Sequence, residues 1–128
     1  SSWILKIIKK TLKVNKKSSK NILAIGLSYK KNVDDTRESP IFDFIKELKK
    51  RKINFDYHDP LIKQIKTRNL NRKYYSKKIN AKLIGGYDCV IIITDHDEIN
   101  YKLIKKNAKL IVDTRNIYKK TSNKILKL

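Results

Sequence analysis

The run NILAIGLSYKKNVDDTRESPIFDFIKELKK, residues 21–50, decides the fold. It opens with NILAIGL, a short apolar run suited to a strand buried on both faces. It closes with a helix signal: Ser39 serves as N-cap, Pro40 sits at the first helical position, and Ile41, Phe44, Ile45 and Leu48 share one face through about Lys50. Between strand and helix, from Gly26 to Pro40, lies a loop that mixes basic, acidic and tyrosine side chains. A buried strand feeding an amphipathic helix is the opening of a βαβ unit.

The pattern continues outward from that unit. INFDYHDP (53–60) predicts the next strand, ended by Asp59-Pro60, and a Lys-rich connection follows with short helices expected around LIKQIK (61–66) and INAKLI (79–84). Gly85-Gly86 resets the chain for CVIIIT (89–94), the clearest strand; DEINYKLIKKN (97–107) predicts a helix and KLIVDT (109–114) a last strand. Strands separated by helical stretches imply right-handed crossovers and parallel pairing. The expected fold class is therefore α/β: a three-layer α/β/α Rossmann-like domain with a mostly parallel sheet. Upstream, WILKIIKKTLKV (3–14) places Trp3, Ile4, Ile7, Ile8 and Leu12 at helical spacing, and NKKSSK (15–20) is a polar turn. That helix starts without a cap, and the chain contains no Met; both suggest a piece of something longer. The division expected is residues 1–19 as the end of a connecting helix with its turn, and 20–128 as the binding domain.

The 128 residues are 40% apolar and carry a formal net charge of +20, a size for one core rather than two. No stretch approaches the roughly 20 apolar residues of a membrane span, so a cytoplasmic protein is expected. The charge invites a nucleic-acid reading. Of the 32 Lys and Arg residues, however, only Arg37, Arg51, Arg68, Arg72 and Arg115 are arginine, the residue that reads base edges. RNLNRKYYSKK (68–78) alone interleaves basic and aromatic residues, and two partly buried tyrosines in a variable connection explain it better. The alternative left open is a free-standing basic α/β module that binds nucleic acid. Cys89 is the single cysteine, which excludes a disulfide framework and is read as a buried structural thiol; no metal spacing is present.

In open parallel sheets, ligands bind at the carboxyl ends of strands. Three polar loops occupy such ends: residues 26–40, DHDE (95–98) and TRN (114–116). They are expected to lie close together. LSYK after Gly26 is no dinucleotide fingerprint, so side chains would have to hold phosphate, with Lys30 and its neighbour Tyr29 well placed. Asp34, Asp35, Arg37 and Glu38 either staple their own loop, or Asp35 orients Arg37 toward a phosphate or carboxylate. Arg115, two residues after Asp113, is open to a ligand role or a structural one. His96, flanked by Asp95, Asp97 and Glu98, has no nucleophile motif beside it and is read as bridging polar neighbours; His58 is read as structural.

Taken in order and spacing, ILAIGLSYKKNVDDTRESP, DYHDP, YDCVIIITDHDEI and IVDTRN closely resemble the C-terminal, UDP-binding domain of the UDP-glucose/GDP-mannose dehydrogenase family over roughly residues 21–116. The resemblance implies an NAD-dependent UDP-sugar 6-dehydrogenase that oxidises a UDP-hexose to a UDP-uronic acid. The family's catalytic cysteine and GxGxxG cofactor loop lie in parts that this chain lacks. It implies Tyr29, Lys30 and Arg115 as substrate-binding residues, and Arg37 as reaching toward NAD held mainly by an N-terminal domain. The leading helix resembles the end of the family's central helix, through which a homodimer forms. Alone, the chain is expected to bind a UDP-sugar but not to turn it over. It departs from the family at KKRKINFDY (49–57), where a glycine commonly precedes the strand.

Overall fold

The computed structural model describes residues 6, 21–28, 41–67, 72–120 and 122–127. The expected leading helix (apart from Lys6) and turn, the 29–40 stretch with Tyr29, Lys30, Asp34, Asp35, Arg37, Glu38, Ser39 and Pro40, and residues 68–71 lie outside this set.

In chain order the elements are β1 (Asn21–Ile25), α1 (Ile41–Lys50), β2 (Asn54–His58), β3 (Gln64–Thr67), β4 (Arg72–Tyr75), α2 (Ala81–Gly85), β5 (Cys89–Ile92), α3 (Tyr101–Asn107), β6 (Ile111–Asp113) and β7 (Ile125–Lys127). Five strands form one sheet in the order β2-β1-β5-β6-β7, and every neighbouring pair is parallel. The order reverses between β1 and β5: the chain leaves β1 for β2 on one side and returns to β5 on the other. Register lines up the carboxyl ends, since Ile25 pairs with both His58 and Ile92, and Ile92 with Asp113. The loops that follow those four residues therefore leave the sheet from one level edge.

Alternation along the strands explains the three layers. Ile22 and Ala24 of β1, Cys89 and Ile91 of β5 and Val112 of β6 join one core with Phe44, Ile45 and Leu48 of α1. Leu23 and Ile25, Val90 and Ile92, and Ile111 face the other way, toward Ile84 of α2 and Ile104 of α3. The buried face of α1 is the one predicted, Ile41, Phe44, Ile45 and Leu48. At its end Lys52 adopts φ 58, the left-handed conformation that usually falls to glycine after a helix, while the Ile53 amide reaches back to the Leu48 carbonyl at 2.9 Å.

Three expectations are corrected. The stretch around LIKQIK is no helix: it enters β3, which pairs antiparallel with β4. Ile62 and Ile65 imitate helical spacing, but both pack on the α1 core with Tyr74, whose ring meets Phe55 edge-on at 5.4 Å. Tyr74 is thus buried, whereas Tyr75 is exposed, so only one of the two tyrosines behaves as a buried pair would. KLIVDT is not the last strand, because β7 adds beyond it. The α3 helix begins at Tyr101 rather than Asp97, because the Asn100 side chain caps it by accepting from the Leu103 amide at 3.0 Å. Among the described residues no helix is long and apolar enough to cross a membrane.

Candidate functional site

The point where the strand order reverses is bridged by three residues after β1. Gly26 has φ 82, and a Cβ there would overlap the Thr94 carbonyl; only glycine lets the end of β1 press so closely on the end of β5. Its amide donates to the His58 carbonyl at 2.9 Å. The next amide, that of Leu27, donates to Asp59 Oδ2 at 2.8 Å. Ser28 then turns the other way: its carbonyl accepts from Thr94 Oγ1 at 2.6 Å, and its Oγ lies 3.2 Å from His96 Nε2. Leu27 is tied to the β2 side and Ser28 to the β5 side.

Asp59 and His96 close this arrangement from beneath. His96 Nε2 lies 3.1 Å from Asp59 Oδ2, and the two side chains are 1% and 0% exposed. The other carboxylate oxygen, Oδ1, accepts from the amides of Leu61 at 2.8 Å and Ile62 at 3.2 Å. Asp59 thus gathers three backbone amides and an imidazole, the saturation a buried carboxylate requires. His96 does bridge polar groups, as expected, but its partners come from the loops after β1 and β2 rather than from its sequence neighbours alone.

On the far side of β5, Arg115 is exposed while its Nε donates to the Ile93 carbonyl at 2.9 Å. This contact anchors the guanidinium by one edge, and among the described residues its two terminal nitrogens have no partner. The loop beneath is organised by Asp113, 1% exposed, whose Oδ1 accepts from the Arg115 and Ile117 amides and whose Oδ2 accepts from the Tyr118 amide. Asp113 therefore holds Arg115 by its main chain and makes no carboxylate–guanidinium pair. A hydrogen-bonded route joins the two flanks. The Tyr118 hydroxyl donates to the Tyr101 carbonyl at 2.7 Å, and the Tyr101 hydroxyl accepts from the His96 amide at 2.9 Å. Burial pushes the Tyr101 hydroxyl, and burial with Asp113 nearby the Tyr118 hydroxyl, well above the usual tyrosine range; both remain neutral.

The three strand-end loops do come together in their described parts: Ser28 and Arg115 flank the segment from Ile93 to His96. Tyr29, Lys30 and Arg37 lie outside the described residues. Cys89 is fully buried and its thiol is pushed up to about 12 by burial, with Asp88 adding to the effect, so it is no nucleophile. His58 Nδ1 donates to the Lys77 carbonyl at 2.7 Å, a structural role. Sequence reading missed Asp59, Ser28 and Thr94. Only Asp59 carried a signal, an Asp-Pro at a strand end. A cavity of about 510 Å³, bordered by Asn21, Asp56 and Tyr87, lies toward the amino ends of the strands, away from these loops; the Tyr87 hydroxyl donates to Asp56 there.

A parallel sheet with polar loops gathered where its strand order reverses is the architecture of nucleotide-binding α/β domains. The native structure of the UDP-N-acetyl-mannosamine dehydrogenase from Staphylococcus aureus shares it, with a TM-score of 0.72 at 26% identity over 98% of this chain and 30% of that one. In sequence, the chain is 33% identical over 113 residues to the UDP-N-acetyl-D-mannosamine dehydrogenase of Pyrococcus horikoshii, spanning 84% of this chain and 24% of the relative. It is 34% identical over 110 residues to the UDP-glucose 6-dehydrogenase of Rickettsia bellii, spanning 78% and 24%. The family described as UDP-glucose/GDP-mannose dehydrogenase, UDP binding domain, matches residues 23–120. The chain belongs to that family, as its UDP-binding domain. It spans about a quarter of the length of these curated relatives. None of the comparisons supports the nucleic-acid alternative.

Proposed function

We propose that this chain is the UDP-sugar-binding part of an NAD-dependent UDP-sugar 6-dehydrogenase, with residues 20–128 forming the binding domain. The observation that carries the reading is Arg115: in a domain of this family, its guanidinium is anchored by Nε beside the carboxyl end of β5, with its terminal nitrogens unengaged among the described residues. A planar fork held this way suits a diphosphate. Tyr29 and Lys30, which follow Ser28 in the chain, are proposed to contact the same substrate, and Arg37 to reach toward the cofactor.

The described residues do not suit NAD itself. The chain's three glycines are Gly26, Gly85 and Gly86, and the turn at Gly26 is filled by Thr94 instead of opening onto a dinucleotide. NAD, which supplies the hydride acceptor, is therefore assigned to an N-terminal domain beyond this chain, and the oxidation to the complete protein. A homodimer built through the connecting helix belongs to the same proposal.

Calorimetric titration with UDP tests the reading. Saturable binding is expected, stronger for UDP than for uridine because the diphosphate engages Arg115. A folded sample that binds no UDP at millimolar concentration overturns the proposal of an autonomous nucleotide site.

A further inference from the structure

We propose that Asp59 and His96 are positioning residues for the nucleotide site, acting through Leu27 and Ser28; this inference rests on the UDP-binding reading. Ser, His and Asp meeting in a crevice invite a hydrolytic interpretation, and the geometry rules it out. In a nucleophile–base–acid relay, the hydroxyl and the carboxylate sit on opposite ring nitrogens. Here both sit on Nε2, at 3.2 and 3.1 Å. A hydrogen on that nitrogen, directed at Asp59, leaves it unable to accept the Ser28 proton. The cluster is a tether.

What the tether holds is the argument for its role. Leu27 N–H is bound by the Asp59 oxygen that also meets His96, and Ser28 is bound by His96 and by Thr94. Tyr29 and Lys30 follow these two residues directly in sequence, so fixing Leu27 and Ser28 fixes the backbone from which they start. Apolar side chains of similar volume would fill this space at least as stably, since desolvating buried polar partners offsets most of their attraction. Simple packing does not call for a carboxylate and an imidazole at this place, whereas fixing two backbone positions does. From the main-chain amide of the same residue, the Tyr101–Tyr118 route runs to the Asp113 loop that carries Arg115. The Asp59–His96 pair thus holds the Leu27–Ser28 flank by side chains, and the His96 main chain leads toward the Arg115 flank.

The test compares His96→Leu and His96→Gln, the latter retaining a side-chain N–H, in two readouts on the full chain. The first is UDP affinity by calorimetry; the second is exchange of the Leu27 amide hydrogen, with the Ile91 amide in the sheet as internal reference. His96→Leu is expected to weaken UDP binding at least about tenfold and to speed Leu27 exchange about as much, the scale of one charge-assisted hydrogen bond. His96→Gln is expected to stay within about threefold of the parent in both. A folded His96→Leu chain with parental affinity and parental Leu27 exchange overturns the proposal. Should His96→Leu not fold, Ser28→Ala decides instead: unchanged affinity overturns it, and a loss of affinity without loss of thermal stability supports it. A parent chain that binds no UDP overturns the functional reading, and the exchange measurement then decides the tether separately.

Discussion

The Thr94 carbonyl oxygen occupies the space in which any residue other than glycine at position 26 would carry its Cβ. Gly26 also sits at φ 82, so a side chain there meets both backbone strain and overlap with main-chain atoms that cannot swing aside. Gly26→Ala is expected to cost about 2–5 kcal/mol in urea unfolding. Gly86→Ala is the control: its backbone is right-handed helical and its nearest neighbour would be at ordinary contact distance, 3.4 Å, so the change should stay within about 1 kcal/mol.

Lys52 stands in the opposite situation, a long side chain at φ 58, a conformation that glycine adopts without strain. It is exposed and closes α1 with no ion pair among the described residues. Lys52→Gly should therefore stabilise the chain by about 0.5–1 kcal/mol, visible as a higher urea midpoint at unchanged m-value.

Asp113 holds three amides with two oxygens. Asp113→Asn replaces one acceptor with an NH2 group aimed at a backbone N–H and should cost about 2–3 kcal/mol. Because Arg115 is one of the residues so held, UDP binding should weaken as well. Arg115→Lys keeps the charge but loses the Nε contact to Ile93; about a tenfold weaker UDP affinity with unchanged thermal stability is expected.

Alkaline pH should destabilise the fold in a defined order. The Cys89 thiol is pushed from 9.0 up to about 12 by burial, and burial raises Tyr57, Tyr87, Tyr101 and Tyr118 well above 10.0. All five are neutral in the fold and ionise more readily when unfolded. Their contribution is complete below pH 9, and is lost as pH rises from 9 for the thiol and from 10 for the tyrosines, by about 1.4 kcal/mol per pH unit and group. Urea midpoints should fall from pH 9 upward in the parent chain, and only from pH 10 in Cys89→Ala. A flat profile to pH 11 would contradict the burial of these groups.

The elements legible in the sequence are those in which one local pattern has one explanation. NILAIGL, CVIIIT and the face of α1 bury the residues that their periodicity marks. The hairpin was not legible because Ile62 and Ile65, three apart, satisfy a helix as well as they satisfy the edge of a core completed by Tyr74, and only tertiary contact decides between them. The three residues of β7 are too few to show alternation. The place of Arg115 just beyond a strand end could be read because KLIVDT marks the strand before it. The Asp59–His96 contact could not, since it joins residues 37 apart in sequence and no local pattern announces a partner at that distance.

The sheet order has a consequence for how the chain assembles. An interior strand, β1, is the first of the five along the chain, and its β5 neighbour comes only after Asp88, which accepts from the Asn21 amide across 67 residues of sequence. During synthesis β1 can pair with β2 early, but its second edge stays open until Cys89–Ile92 has emerged. Such long-range pairing slows folding and prolongs the exposure of an unpaired apolar edge. Between those two moments the half-built sheet is most exposed to other chains, and the lysines of the intervening stretch are of the kind that oppose edge-to-edge pairing.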